Sequence, residues 1–413
     1  MLAWNLGNYA FFVIAGRSVG PESYGTIAAL LAATMLVQIP AGSVQVGISR
    51  RIAEIGPDDR PVSAWLVRRA LPRSIGFGLL AAAMTFVITA FCAPDLPLLA
   101  VACTAAAVAP IPAFSLAIGA LQGHKRFGGF SLSLSMLGAP RPFALLLFLV
   151  VMADVTAAMA ASALTIALAA ATATALAWPR RVPNPTARPT QQWDVFQRTI
   201  VPLAVGLSGI GVLINLDVII ARASLPERTA GLFGAVAVLA KAIIIIPQTA
   251  AWVLLPRVTE AEAGGRSSSK LLVLGVVISI FGGAVAATVA LLFGRPIVTL
   301  VFGPTYSDGG TYLAPLMATA ALTGLLLVLM YHQLGRGIDG FVWVVAALAA
   351  VEAGIFALAH DSVAVILTAE AVIAIVGLAV YEILYGRTDG GISRSIRSVL
   401  HGATQKSKHA SAT

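Results

Sequence analysis

Twelve stretches of this 413-residue chain run apolar for about 20 residues each, the length a helix needs to cross a hydrocarbon core. They fall at residues 1–16, 24–48, 74–93, 98–121, 130–153, 155–177, 199–221, 231–255, 271–293, 312–334, 341–359 and 362–385. None carries the regularly spaced polar face that a helix on a soluble core would show. Only 11% of the residues are charged and 58% are hydrophobic, about half the charge of a soluble domain of this length. The chain therefore reads as an all-α integral membrane protein with about twelve transmembrane helices. The first stretch has no basic lead, so no cleaved leader is expected. At 16 residues it is short for a span, so a natural start at Met1 and one upstream are both open.

The basic residues orient these helices. Of 27 Lys and Arg, 21 follow even-numbered spans or lie in the C-terminal tail, four follow odd-numbered spans, and Arg141 and Lys241 fall inside spans. Basic loops resist translocation, so both termini are expected on the cytoplasmic side. The net charge of +9 then reports topology and contact with anionic lipid; no nucleic-acid motif accompanies it. Cys92 and Cys103 are too few for a disulfide framework or a metal cluster, and no metal or cofactor is expected.

The sequence also repeats itself. "AGRSVGPESYG" (15–25) returns as "ARASLPERTAG" (221–231). Arg17, Pro21 and Glu22 match Arg222, Pro226 and Glu227 at an offset of 205, and Pro40 and Arg50 match Pro247 and Arg257 at 207. Six spans separate the copies, so both run the same way through the membrane and the repeat is parallel. Two six-helix lobes are predicted, over 1–177 and 199–385, with a Pro-rich basic cytoplasmic connector at 178–198 and a basic cytoplasmic tail at 386–413.

Intramembrane ionisable residues cost about 2.5–3.5 kcal/mol each on insertion scales and are functional candidates by default. Arg141 lies well inside span five, because the ten apolar residues after it cannot span alone. Pro140 and Pro142 flank it and free backbone carbonyls. A guanidinium fork there suits a diphosphate or acidic sugar. The alternatives are an Arg satisfied by kinked-helix carbonyls or one that snorkels. Lys241, in span eight, and Asp217, beside Asn215 in span seven, form either a buried structural pair or a substrate or ion site. Glu352 and Glu370, in spans eleven and twelve, either carry a coupling proton or are packed acids. Asn5 and Asn8 share a face of span one and either donate to sugar hydroxyls or join helices. Pro40 and Pro247 are candidate hinges. Arg17 and Arg222 read as interface anchors at the outer turns, since Pro-Glu-x-x-Gly is turn chemistry. "RPVSAWLVRRALPRS" (60–74) and "GISRSIRSVL" (391–400) read as amphipathic helices with basic faces.

Three stretches resemble one family. "AGRSVGPESYG" looks like the first external turn of polysaccharide and lipid-linked oligosaccharide exporters (O-antigen flippase-like) of the multidrug/oligosaccharidyl-lipid/polysaccharide (MOP) superfamily. "NLDVIIARASLPERTAGLFGAVAVLAKAIIIIPQTAAWVLLPRV" (215–258) resembles their seventh and eighth spans, and "GRPIVTLVFGPTYSDGGTYLAPLMATAALTGLLLVLMYHQLGRG" (294–337) their ninth loop and tenth span. The resemblance implies a MATE/MOP-like pair of lobes around a central cavity. It further implies that a polyprenyl-diphosphate-linked glycan is flipped by alternating access in a bacterial cytoplasmic membrane. Implied partners are the glycan substrate, membrane lipids, and glycosyltransferases or a polymerase of the same pathway, the chain itself acting as a monomer.

Rival readings are weighed by what the sequence lacks. No G-x-x-x-x-G-K-[ST] motif is present, so ATP hydrolysis is not expected. Multidrug antiporters of the superfamily often place a coupling acid in the first lobe, whereas Glu22, Asp95 and Asp154 here fall in expected loops. Peptidoglycan-precursor flippases usually carry two more C-terminal spans, and 386–413 holds no apolar run. A membrane glycosyltransferase or polymerase would need external acids; the longest expected external loop, 294–311, has one, Asp308.

Overall fold

The structure, a computed structural model, describes residues 2–55, 60–152, 154–178, 189–388, 390–398 and 401. Every regular element among these residues is a helix. In chain order they are α1 (Leu2–Ile55), α2 (Arg60–Cys92), α3 (Leu98–Val108), α4 (Ile111–Gly123), α5 (Phe127–Gly138), α6 (Arg141–Val151), α7 (Asp154–Ala177) and α8 (Pro189–Ser224). There follow α9 (Glu227–Lys241), α10 (Ile245–Ala263), α11 (Ser269–Phe302), α12 (Gly310–Gly335), α13 (Gly340–Leu358) and α14 (Val363–Tyr385), with 3-10 turns at Ala242–Ile244 and Pro304–Gly309.

Eleven helical segments among the described residues are long and apolar enough to cross a membrane. The first of these, Ala3–Ile55, holds a break at Gly20 (φ 75, ψ 171). Pro21 supplies the cause: it disfavours helical dihedrals in the residue before it, and glycine enters the positive-φ region at little cost. With α1 divided there, the expected twelve spans are recovered.

Two breaks within spans coincide with prolines, whereas Pro40, Pro202 and Pro315 lie inside continuous helices. α3 gives way to α4 around Pro110, and α5 to α6 around Pro140. Proline is tolerated at a helix start because its missing N–H would be unpaired there anyway. One expectation is overturned. Residues 294–311 were read as a long external loop, yet α11 continues to Phe302 with a single non-helical residue at Phe293, and a 3-10 turn follows. Likewise 189–198, read as connector, already belong to α8; 179–188 lie outside the described residues.

The chain divides into two compact units. The first comprises Met1–Gly211, Val218–Ala235 and Val301–Thr305; the second comprises Val212–Asp217, Val236–Leu300 and Tyr306–Thr413. In the first unit the helices approach through small residues. A Cβ on Gly7 would strike the Gly138 carbonyl, and one on Gly119 would strike the α1 backbone at Gln45. Such close approach lets dispersion and weak polar contacts hold helices together where no hydrophobic effect acts between them. Larger side chains fill the end of the unit around Ile48, Leu66, Leu116, Trp193 and Phe196.

In this unit the two copies of the repeated motif meet. A Cβ on Gly25 would come within 2.9 Å of the Gly231 nitrogen, and one on Gly231 would overlap the Pro21 carbonyl. Polar contacts frame the glycines: Arg222 Nε donates to Thr26 Oγ1 at 2.7 Å, and Arg228 pairs with Glu22 at 3.6 Å. Arg222 also pairs with Asp95 at 3.0 Å, while Arg17 Nε donates to the Val301 carbonyl at 2.9 Å. Arg17 and Arg222, expected only as interface anchors, thus hold backbone and side-chain partners far away in sequence.

In the second unit α12 is central, with an unbroken buried run from Thr323 to Gln333. Its Gly324 lets the Pro247 ring of α10 approach, and Ala321 takes the space that a side chain on Gly283 of α11 would fill.

Candidate functional site

The strongest polar constellation in the first unit centres on Arg141. The α5–α6 break makes it the first residue of α6, and its side chain is 5% exposed. Nη1 donates to Asn8 Oδ1 and Nη2 to Ser162 Oγ, both at 2.8 Å. Ser162 Oγ in turn donates a hydrogen bond to the Ala158 carbonyl at 2.8 Å. The guanidinium carbon lies 4.2 Å from the Phe11 ring centroid, a cation–π distance. Nε has no partner, and no described carboxylate lies within ion-pair distance of Arg141. The buried guanidinium is therefore held by neutral groups only. A desolvated cation without a counterion is unfavourable.

The second unit assembles four of the expected ionisable residues. Lys241 Nζ donates to Asp217 Oδ1 at 2.8 Å, so the expected pair is formed. Asp217 is 2% exposed and its Oδ2 has no partner. Glu370 accepts a bond from Thr319 Oγ1 at 3.2 Å, and Asp217, Lys241, Thr319, Thr323 and Glu370 line one pocket. Glu352 is buried with Oε2 unpartnered, and both glutamates feel the charges of Asp217 and Lys241. Three carboxyls and one ammonium thus share a poorly hydrated region.

The remaining candidates are distributed differently. Asn8 is engaged by Arg141. Asn5 is half-buried on the same helix, and Asn215 is buried. Pro40 sits in a helix that stays regular through it, Gly20 being the non-helical residue of α1. Pro247 instead lies three residues after the 3-10 turn Ala242–Ile244, which interrupts span eight directly after Lys241. A 3-10 stretch inside a span often marks a hinge, so the two prolines are not equivalent. No group of three or more His, Cys, Asp or Glu able to hold a metal occurs among the described residues.

Sequence reasoning missed Ser162, Phe11 and Thr319. Ser162 is one hydroxyl in an Ala-rich span and reads as packing. Phe11 lies three residues after Asn8, and the shared helix face was a usable signal.

No family model and no curated protein matches the chain. Solved structures do. An inward-facing multidrug resistance MATE transporter of the MOP superfamily aligns over 95% of this chain and 96% of its own, at 16% identity and a TM-score of 0.73. The lipid II flippase MurJ in an inward closed conformation aligns over 97% and 89%, at 11% identity and 0.65. A MOP superfamily transporter from Pyrococcus furiosus aligns over 93% and 92%, at 15% and 0.63.

This is the fold of the MOP superfamily.

The MOP fold is shared by multidrug transporters and by a lipid II flippase. It fixes the helical framework, and the choice among substrates rests on the chemistry of the residues inside it.

Proposed function

We propose that this chain is a bacterial cytoplasmic-membrane transporter that flips or exports a polyprenyl-diphosphate-linked oligosaccharide or polysaccharide precursor by alternating access. The observation that carries this reading is the buried Arg141 guanidinium with only neutral partners, Asn8 and Ser162. An anionic diphosphate would supply the missing counter-charge through charge-assisted bonds to the planar fork. A cationic drug would meet repulsion from the same group, which disfavours a multidrug antiporter. The MOP transporter from Pyrococcus furiosus is described as having a binding pocket of reverse polarity that suggests a different function, so pocket charge varies within this fold.

A peptidoglycan precursor carries the same diphosphate and is the second reading that Arg141 favours. Asn5 and Asn8 are assigned to sugar hydroxyls, and Asn215 to the substrate-binding set. Lys241 is assigned to an acidic group of the substrate, and Asp217, Glu352 and Glu370 to ion coupling, with Pro247 as the hinge and Pro40 as its counterpart. Both termini face the cytoplasm in this reading, the chain acts as a monomer, and glycosyltransferases or a polymerase of the same pathway supply or consume the glycan. The chain itself performs no covalent chemistry.

The test is flipping of a diphosphate-linked glycan by protein reconstituted in vesicles. Losing a hydrogen bond to a charged group costs about 1.5–3 kcal/mol, so Arg141→Ala lowers transport roughly 10- to 100-fold, and Arg141→Lys recovers part of it. Unchanged transport in both variants removes Arg141 from the mechanism. Transport of a peptidoglycan precursor in preference to other glycans selects the second reading, and efflux of cationic drugs refutes both. For coupling, Glu352→Gln and Glu370→Gln should each change the response to an imposed ion gradient.

A further inference from the structure

The basic end of α2 carries an arrangement that the transport reading does not use. Arg69 places its guanidinium carbon 5.2 Å from the Trp65 ring centroid and 5.4 Å from that of Trp193; Arg73 lies 4.9 Å from Trp193. Both arginines are exposed. Stacking on a ring face leaves the N–H edge of a guanidinium pointing outward. Arg73 Nη1 donates to the Arg69 carbonyl at 2.9 Å, and neither side chain pairs with a described carboxylate. Two like charges four residues apart on a helix repel, and among the described residues no acid pairs with them.

The same face of α2 then changes character. Stepping by helical spacing from Arg69 and Arg73 leads through Gly76 to Leu80, Met84, Val87 and Phe91. Those four apolar side chains are 58%, 54%, 64% and 85% exposed. A Cβ on Gly76 would meet nothing within 4 Å, so the junction between the charged and apolar parts is open. From Arg73 to Met84 the helix rises about 16 Å, close to the depth of one leaflet. One face thus offers anion donors beside Trp65 and Trp193 and a continuous exposed apolar strip further along the same helix.

A second feature lies beside it. Arg68 stacks over Trp178 at 5.4 Å. Trp178 rims an apolar groove of about 600 Å³ lined by Pro110, Ala167, Ala171, Thr174 and Ala175, whose small side chains leave room for an alkyl chain.

The geometry points to a binding site for an anionic phospholipid on this face, its phosphate held by Arg69 and Arg73 and its acyl chains laid along α2 and into the Ala-lined groove. Charge complementarity selects an acidic headgroup over a zwitterionic one. The apolar strip in register with the arginines selects a lipid over a free anion.

The test uses the full chain purified in detergent, titrated with phosphatidylglycerol or phosphatidylcholine of matched acyl chains, with bound lipid counted by native mass spectrometry. Phosphatidylglycerol should bind more tightly. The double variant Arg69→Gln/Arg73→Gln should weaken it on the order of 30-fold, from about 1 kcal/mol per basic residue at a membrane surface. A control that removes two exposed charges elsewhere, Arg266→Gln/Arg387→Gln, should leave phosphatidylglycerol binding unchanged. Arg69→Lys/Arg73→Lys keeps the charge and loses the ring-stacked fork, so an intermediate loss is expected. Equal binding of the two lipids by the unaltered protein overturns the site. So does equal weakening by the two Gln pairs, which would mean diffuse surface charge, or displacement of the lipid by inorganic phosphate, which would mean a free-anion site. Should the Gln pair not yield folded protein, the lipid preference of the unaltered chain and the Lys pair decide the matter.

Discussion

Arg141 donates to Asn8 Oδ1 at 2.8 Å across 133 positions of sequence, and the bond joins the two helix faces on which separate functional candidates had been identified. The transport reading and stability would make opposite demands on the Arg141 side chain.

Replacing Asn8 by Leu leaves a buried guanidinium short of an acceptor, and should lower stability by about 1.5–3 kcal/mol. Arg141→Met fills similar space without a charge, and should melt no lower than the unaltered protein, since buried charges are often replaced by apolar groups without loss. The same substitution should lower transport roughly 10- to 100-fold, as expected for Arg141→Ala. Thermal melting in detergent beside a flipping assay checks both parts; an Arg141→Met protein that melts well below Asn8→Leu contradicts the account.

Lys241 and Asp217 should show coupling in a double-mutant cycle. Asp217 is almost fully buried, whereas the Lys241 side chain is 20% exposed, so Asp217→Asn should cost about 1–3 kcal/mol, below the range for a fully buried pair. Adding Lys241→Met should recover part of that loss, with a coupling energy of about 0.5–3 kcal/mol. Strict additivity in melting experiments would mean that the 2.8 Å contact contributes nothing.

Glycine substitutions separate contact from propensity. Gly231→Ala drives a methyl group into the Pro21 carbonyl, and should destabilise by about 1–3 kcal/mol. Gly76→Ala meets no neighbour, and should be neutral or stabilise by up to about 1 kcal/mol. Denaturation of both variants under one condition tests the difference, and equal effects would refute the close approach of the two repeated turns.

Glu382 secures the start of the helix over 392–398 by accepting from the Ile392 and Ser393 amides at 3.0 and 3.1 Å. A carboxylate at a helix N-terminus meets unpaired N–H groups and a favourable dipole. Glu382→Ala should speed hydrogen exchange at those two amides by about tenfold or more, while amides inside α14 stay protected. Exchange mass spectrometry reads both at once.

The helical framework was legible because its determinants are local and repetitive. Runs of apolar residues set the spans, Pro21 after Gly20 set the first break, and Pro140 set the α5–α6 break. The loop expected at 294–311 shows where that logic fails. Gly294 and Pro296 look like turn residues in isolation, yet α11 carries them because Gly294 and Gly310 let the flanking helices touch. The candidate site was half legible. Arg141, Lys241, Asp217, Glu352 and Glu370 stand out as charges where water is scarce. Ser162, Phe11 and Thr319 do not, because one hydroxyl or ring in an apolar helix has no pattern of its own.

The order of residues alone determined that this chain carries membrane-length helices and that it breaks at Gly20–Pro21 and around Pro140, because each follows from hydrophobic run length or backbone chemistry within a few residues. Which charge meets which partner was decided only by tertiary packing. Arg141 reaches Asn8 and Ser162 rather than an acid, Lys241 reaches Asp217, and Gly25 meets Gly231, since contacts between distant segments depend on how helices pack and not on what stands next along the chain.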